Sequence, residues 1–193
     1  RTLANALLSG ESPWLLSVDA KSGRASGSGA NISDVKSKGK TLSFAVQELV
    51  WPSPAAPVRG EVHPQLRRNL DQLSIKNLAP GNYRLVVDGK SVATANHVQW
   101  AAGLGLHSTP AHASLESYRK SIYDKNAHFV YSWKALNQVH IVGERRKSPS
   151  GRALPAEVIE FNKLTNQKDK ALGAGIRLKS RQWRLVPVTP LIP

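Results

Sequence analysis

The apolar positions of this chain change their period several times along its length, and each change marks an element. Thr2–Leu8 (TLANALL) is apolar at helical spacing and stops at Ser9-Gly10, which predicts the last turns of a helix. Trp14–Val18 predicts a short strand, Ser22–Lys40 a Ser/Gly/Lys-rich loop or irregular hairpin, and Thr41–Val46 an alternating strand. Pro52, Pro54 and Pro57 then abolish any period, so Pro52–Pro64 predicts an extended linker and Leu66–Asp71 a short helix. Leu73–Val92 carries its turns within it: alternation in Leu73–Leu78, a turn at Ala79-Pro80-Gly81, and Asp88-Gly89, the favoured two-residue hairpin signal. That stretch predicts two or three short strands. Ala93–Ala102 predicts a helix entering Gly103-Leu104-Gly105-Leu106.

From Ala111 the period lengthens. Leu115, Tyr118, Ile122, Phe129, Val130, Trp133, Leu136 and Val139 recur at three or four residues, predicting an amphipathic helix of up to about eight turns that starts at Thr109-Pro110. Gly143–Arg152 reads as a basic loop. Pro155 then opens a second helix, with Val158, Phe161, Leu164 and Ala171 or Leu172 on one face and Gly173 after its end. The two helices are expected to lie antiparallel. Arg177–Val188 alternates as a strand, ended by Pro187, Pro190 and Pro193. No internal repeat is present.

Composition narrows the function classes. With 193 residues, 40% of them hydrophobic, the chain can bury a core, and no apolar run reaches the ~18 residues a membrane-crossing helix needs. The absence of Cys excludes disulfides and thiolate metal sites. Having no Met and opening on Arg1, it is expected to be part of a longer product. The net charge of +14 points to polyanions as partners, but Arg67-Arg68, Arg145-Arg146-Lys147, Lys168–Lys170 and Lys179–Arg184 are spread along the chain. A solvated basic surface is the expectation; nucleic acid is not the expected partner, whereas an anionic polysaccharide remains open.

No residue pattern assembles a reactive centre. Glu61-Val62-His63-Pro64 places its only carboxylate two residues before the imidazole, and His63 reads as a linker residue before a turn proline. His63, His97, His107, His112, His128 and His140 lack the i, i+4 or i, i+2 spacing of metal pairs. Gly23-x-x-x-Gly27-x-Gly29 is followed by neither Lys-Ser/Thr nor a helix, so it is no phosphate cradle. Trp100 and Trp133 read as packing residues. Trp51 and Trp183 could stack on a sugar or a base, although burial is the commoner fate of Trp. Asn31-Ile32-Ser33 is a formal glycosylation sequon.

The run Leu73–Val92 resembles the pattern L-x-V-x-G-L-x-x-G-x-Y-x-L-x-I-D-G found downstream of the catalytic core in many bacterial SGNH (GDSL-type) hydrolases. Arg1–Leu8 is similar to the second half of the helix that follows their catalytic D-x-x-H-P motif. The resemblance continues through Trp14–Asp19, Gly103-Leu104-Gly105-Leu106 (with Gly105 where the family has Asn), Thr109-Pro110, the long helix ending near Trp133, and Pro155-Ala156-Glu157 with Phe161. Neither G-D-S nor D-x-x-H occurs in this chain. The resemblance therefore implies the C-terminal part of an α/β SGNH-type esterase, one acting on a carbohydrate ester, whose α/β core lies mostly outside this chain and whose catalytic residues lie upstream. It assigns no catalytic, cofactor-binding or metal-ligating residue here.

On that reading, residues 1–10 end the last core helix, 11–64 form an irregular β segment and Pro-rich linker, 65–106 a β-module, and 107–193 a helical extension with a C-terminal strand. The partner would be the N-terminal catalytic fragment, the location periplasmic or extracellular, and the chain's own role to complete the fold and wall the cleft. The alternative from another class is a non-catalytic basic adaptor or structural subunit that binds polyanions.

Overall fold

The computed structural model describes residues 14–53, 71–135, 143–175 and 177–188. Thr2–Leu8, His63, most of the Pro52–Pro64 linker, residues 66–70 of the expected short helix, and the Leu136 and Val139 positions lie outside the described residues. The chain divides into two compact units, Arg1–Leu115 with Leu178–Pro193, and Glu116–Arg177.

The first unit holds two sheets that share one apolar core. Its strands are β1 (Leu15–Asp19), β2 (Ala25–Ser28), β3 (Ala30–Lys38), β4 (Thr41–Glu48), β5 (Asp71–Lys76), β6 (Asn82–Val87), β7 (Lys90–Asn96), β8 (Leu104–Leu106) and β9 (Ser180–Val188). One sheet runs β2-β1-β5-β8 and the other β3-β4-β9-β6-β7. Among the described strands, only the β1–β5 pairing is parallel. Trp14, Leu16, Val18, Leu73 and Ile75 from the first sheet and Leu42, Phe44, Val46, Tyr83, Leu85, Val87, Trp183 and Leu185 from the second are all buried in one cluster.

Local chemistry explains several boundaries. At the β6–β7 turn Asp88 and Gly89 both have positive φ (47° and 80°), as a type I′ turn requires and as Asp-Gly tolerates. In β3, Ala30 and Ile32 face inward, then a register shift between Ser33 and Lys36, with Asp34 at φ 54°, switches the inward parity from even to odd positions so that Val35 also packs on the core. The loop or irregular hairpin expected at Ser22–Lys40 is two strands, each pairing antiparallel with a neighbour; β2 has every residue exposed, so it carries no alternation to read. The helix expected over Ala93–Ala102 is confined to α1 (His97–Ala102), and β7 runs on through Asn96. Asn96 accepts from Gln99 N (2.9 Å) while Gln99 Oε1 accepts from Asn96 N (3.0 Å), a reciprocal cap that fixes the start. Pro187 does not end β9: it sits where β6 alone flanks the strand, so its missing N–H leaves no gap between two ladders.

The second unit is built from most of α2 (Pro110–Ala135) and from α3 (Pro149–Gly175). Lys125 pairs with Asp169 (3.0 Å), Lys168 pairs with Asp124, and further along α2 the rings of His128 and Tyr131 meet Phe161 (6.4 and 5.7 Å). Contacts that descend α3 as they ascend α2 make the pair antiparallel, as expected. The start of α3 lies earlier than Pro155. Ser148 Oγ accepts from Gly151 N (3.2 Å), so Ser148 is the N-cap, Pro149 the first helical residue, and Pro155 lies inside the helix. Gly173 likewise falls within α3, which continues to Gly175.

Candidate functional site

Two buried polar clusters, both in the first unit, hold the first turn and a half of α2. The first is built on Asp71, the opening residue of β5, which is completely buried. Its Oδ2 accepts from Ser53 N (2.7 Å) and its Oδ1 from Trp14 N (3.4 Å), tying the chain before β1 and the chain after β4 to β5. Asp71 Oδ2 also lies 3.3 Å from His112 Nε2, although the two are not aligned as a hydrogen bond. On the other side of the imidazole, Nδ1 accepts from Thr109 N (3.3 Å) and lies 2.8 Å from Thr109 Oγ1. Because Nδ1 is taken as an acceptor by a backbone N–H, the neutral ring carries its proton on Nε2, toward Asp71. The edge of Trp14 packs on the ring at 5.8 Å.

Carboxylate, imidazole and hydroxyl in this order match the constellation of a charge-relay hydrolase. The accessibility does not match. Thr109 is 1% exposed and His112 5%, and the Thr109 oxygen is occupied as the N-cap of α2, accepting weakly from His112 N (3.5 Å). What the arrangement does chemically is fasten the start of α2 to β5.

The second cluster is built on Glu48, at the end of β4, 2% exposed. Its Oε1 lies 3.3 Å from Arg181 Nε of β9, again without hydrogen-bond alignment. Burial pushes the Glu48 carboxyl up to about 7; the Arg181 charge pulls the other way and only partly offsets it, and Asp88 adds a small further push upward. Arg181 also donates to Asp88 Oδ2 (3.1 Å) and to Ser114 Oγ (3.2 Å). Asp88 is itself held to β9 by Gln182 N (2.9 Å). Trp183, one of the expected stacking candidates, is completely buried between these clusters, 6.0 Å from Trp14 and 5.9 Å from Phe44. Trp51 is half-buried and Trp100 fully buried, donating to Tyr83 O (3.3 Å).

Among the described histidines only His112 joins a buried polar cluster with a carboxylate; His97 accepts from Gly81 N (3.3 Å) and His128 bonds Asp124 O (2.8 Å). Among the described residues no group of three or more His, Asp or Glu is placed to hold a metal, and no helix is long and apolar enough to cross a membrane. Sequence reasoning missed Glu48, Asp71 and Arg181, and placed Thr109 at the start of the helix without its imidazole partner. One signal was there for Glu48: it continues the inward parity of Leu42, Phe44 and Val46.

Comparison with known proteins adds a likeness of fold. No family model matches the chain, and no curated protein matches it in sequence. A solved structure, that of a gut microbial diltiazem-metabolizing enzyme, is similar to it with a TM-score of 0.68 at 16% identity, over 97% of this chain and 52% of that one. The chain therefore spans about half the length of that enzyme, and at this identity the similarity is one of fold.

Proposed function

We propose that this chain is the C-terminal part of an SGNH-type serine ester hydrolase, completing its fold and walling one side of its cleft, with the nucleophile and its base supplied by the part upstream. The observation that carries the reading is the fold likeness: almost the whole chain matches about half of an enzyme chain that metabolizes a drug. The resemblance of Leu73–Val92 to the family pattern supports it independently, and those residues form the β5 strand and the β6–β7 hairpin. The burial of Thr109, His112 and Asp71 supports an anchoring role for the relay-like cluster, leaving catalysis to other residues.

The test compares p-nitrophenyl acetate turnover by the pure 193-residue chain with turnover by the complete gene product that contains it. The chain alone should not exceed the uncatalysed rate, whereas the complete product should turn over and lose activity with a serine-directed reagent. Turnover by the chain alone that is abolished by His112→Ala would overturn the reading and make Thr109 the nucleophile. A complete product inert toward esters would overturn the hydrolase assignment itself.

A further inference from the structure

Three turns of the first unit border one cavity of about 200 Å³: the β1–β2 turn with Lys21, the β3–β4 turn with Lys40, and the β5–β6 turn with Asn77 and Ala79. A second cavity of about 310 Å³ reaches Asn82 and Val188, and Lys40 and Tyr83 border both. Together they form a groove on the scale of small-ligand sites, roughly 300–1,000 Å³. The turns are set before anything binds. Asp19 Oδ1 accepts from Lys21 N (2.9 Å) and Ser22 N (3.0 Å), and its Oδ2 accepts from Asn77 Nδ2 (2.8 Å), which fastens the first turn to the third. Tyr83 Oη donates to Ala79 O (2.8 Å) and fixes the third turn against β6. Both oxygens of Asp19, the carboxylate nearest Lys21 in sequence, are thereby engaged. Among the described residues neither the Lys21 nor the Lys40 ammonium has an ion-pair partner.

The rest of the lining narrows the ligand. Leu42, Leu78 and Pro80 supply apolar surface for the C–H face of a ring, while Ser37, Thr41 and Asn82 add neutral donors and acceptors. Tyr83 is the one aromatic residue of the lining and is 1% exposed, so no ring is open for a base to stack on. β4 and β6, which line the groove, are each paired on both sides and offer no free edge to an acidic peptide. We propose that this groove is a binding subsite for an acidic oligosaccharide, its sugar carboxylates held by Lys21 and Lys40 and its hydroxyls by Ser37, Thr41 and Asn77. Because the turns are already tied in place, little ordering opposes binding. The proposal does not rest on the esterase reading, since it concerns binding by this chain alone.

Calorimetric titration of the full chain at low ionic strength with trigalacturonate tests this, with maltotriose, triglutamate and inorganic phosphate as the neutral-sugar, acidic-peptide and bare-anion counterparts. Trigalacturonate should bind saturably, and about tenfold or more tightly than each counterpart, since only it satisfies the ammonium groups and the neutral lining together. Lys21→Gln and Lys40→Gln, both at exposed turn positions, should each weaken it on the order of tenfold, the scale of one hydrogen bond to a charged donor. Lys90→Gln removes the same charge beside the β6–β7 turn, at the other end of β6, and should leave the affinity within about twofold. Triglutamate or phosphate binding as tightly as trigalacturonate would reduce the groove to a charge effect and overturn the proposal. So would the absence of saturable trigalacturonate binding, or a loss in Lys21→Gln or Lys40→Gln no larger than that in Lys90→Gln.

Discussion

Asp71 shows what a single buried carboxylate does here. It satisfies two backbone N–H groups from chain segments far apart in sequence and faces an imidazole whose other nitrogen caps a helix start. Removing it strands all of them in a dry interior. Asp71→Ala should therefore destabilise the first unit by about 2–4 kcal/mol, read from urea unfolding followed by Trp fluorescence. A loss under 1 kcal/mol would show that the cluster is dispensable. Glu48 gives a pH signature of definite sign. Its folded value of about 7 lies above the reference 4.5, so the folded state binds the proton more tightly than the unfolded chain. Stability from this group is complete below pH 4.5, declines as pH rises to about 7, and then levels. Over that 2.5-unit interval the decline amounts to roughly 3 kcal/mol at ~1.36 kcal/mol per unit. Asp19 and Asp124 are shifted downward, Asp19 mainly by the Ser22 backbone N–H and Asp124 by Lys168, so they titrate below this window. A wild-type stability that rises between pH 5 and pH 7, or a Glu48→Gln variant that keeps the decline, would contradict the assignment.

At the scale of elements, the strands are fixed by parity and by a few positions where only one residue type fits. Gly27 of β2 lies opposite Leu16, and a Cβ there would come within 2.6 Å of Ala30 O and 3.0 Å of Leu16 Cδ2. Gly27→Ala must push β2 off β1 or bend the β2–β3 connection, and should cost about 1–3 kcal/mol in thermal unfolding. An unchanged melting temperature would mean the connection yields freely. α1 depends on its reciprocal cap, so Asn96→Ala should cost ~1 kcal/mol, while Asn96→Ser should recover most of it. Turn and cap chemistry was the most legible part of the sequence. Asp88-Gly89 named its hairpin and Thr109-Pro110 the start of α2, because each acts through its own backbone. The boundary between β7 and α1 was equally local, written in Asn96 and Gln99, but the apolar run across Ala93–Ala102 masked it. β2 and β3 were harder for a physical reason: an exposed edge needs no apolar alternation to be a strand, only a neighbour with free backbone groups.

For the molecule as a whole, the basic excess is divided among ion pairs and open surface. In the helical unit Arg119, Lys125, Lys163 and Lys168 each face a carboxylate, whereas Arg145, Arg146 and Lys147 are exposed. Binding to heparin or DNA should therefore be weak, follow a log–log salt dependence of several released counterions, and be largely lost by physiological ionic strength. Tight binding under those conditions would favour a polyanion-binding adaptor. The sequence by itself determined the mixed α/β character, the β6–β7 hairpin, the long helix pair and its antiparallel sense, since periodicity, turns and caps are properties of neighbouring residues. Only the tertiary structure decided that β9 inserts between β4 and β6, that β1 pairs in parallel with β5, that Asp71 meets His112, and that Glu48 meets Arg181. Those residues are separated by up to most of the chain, and what selects them is burial: a carboxylate reads as surface in any local window, and becomes a structural joint only when the strands that flank it close water out.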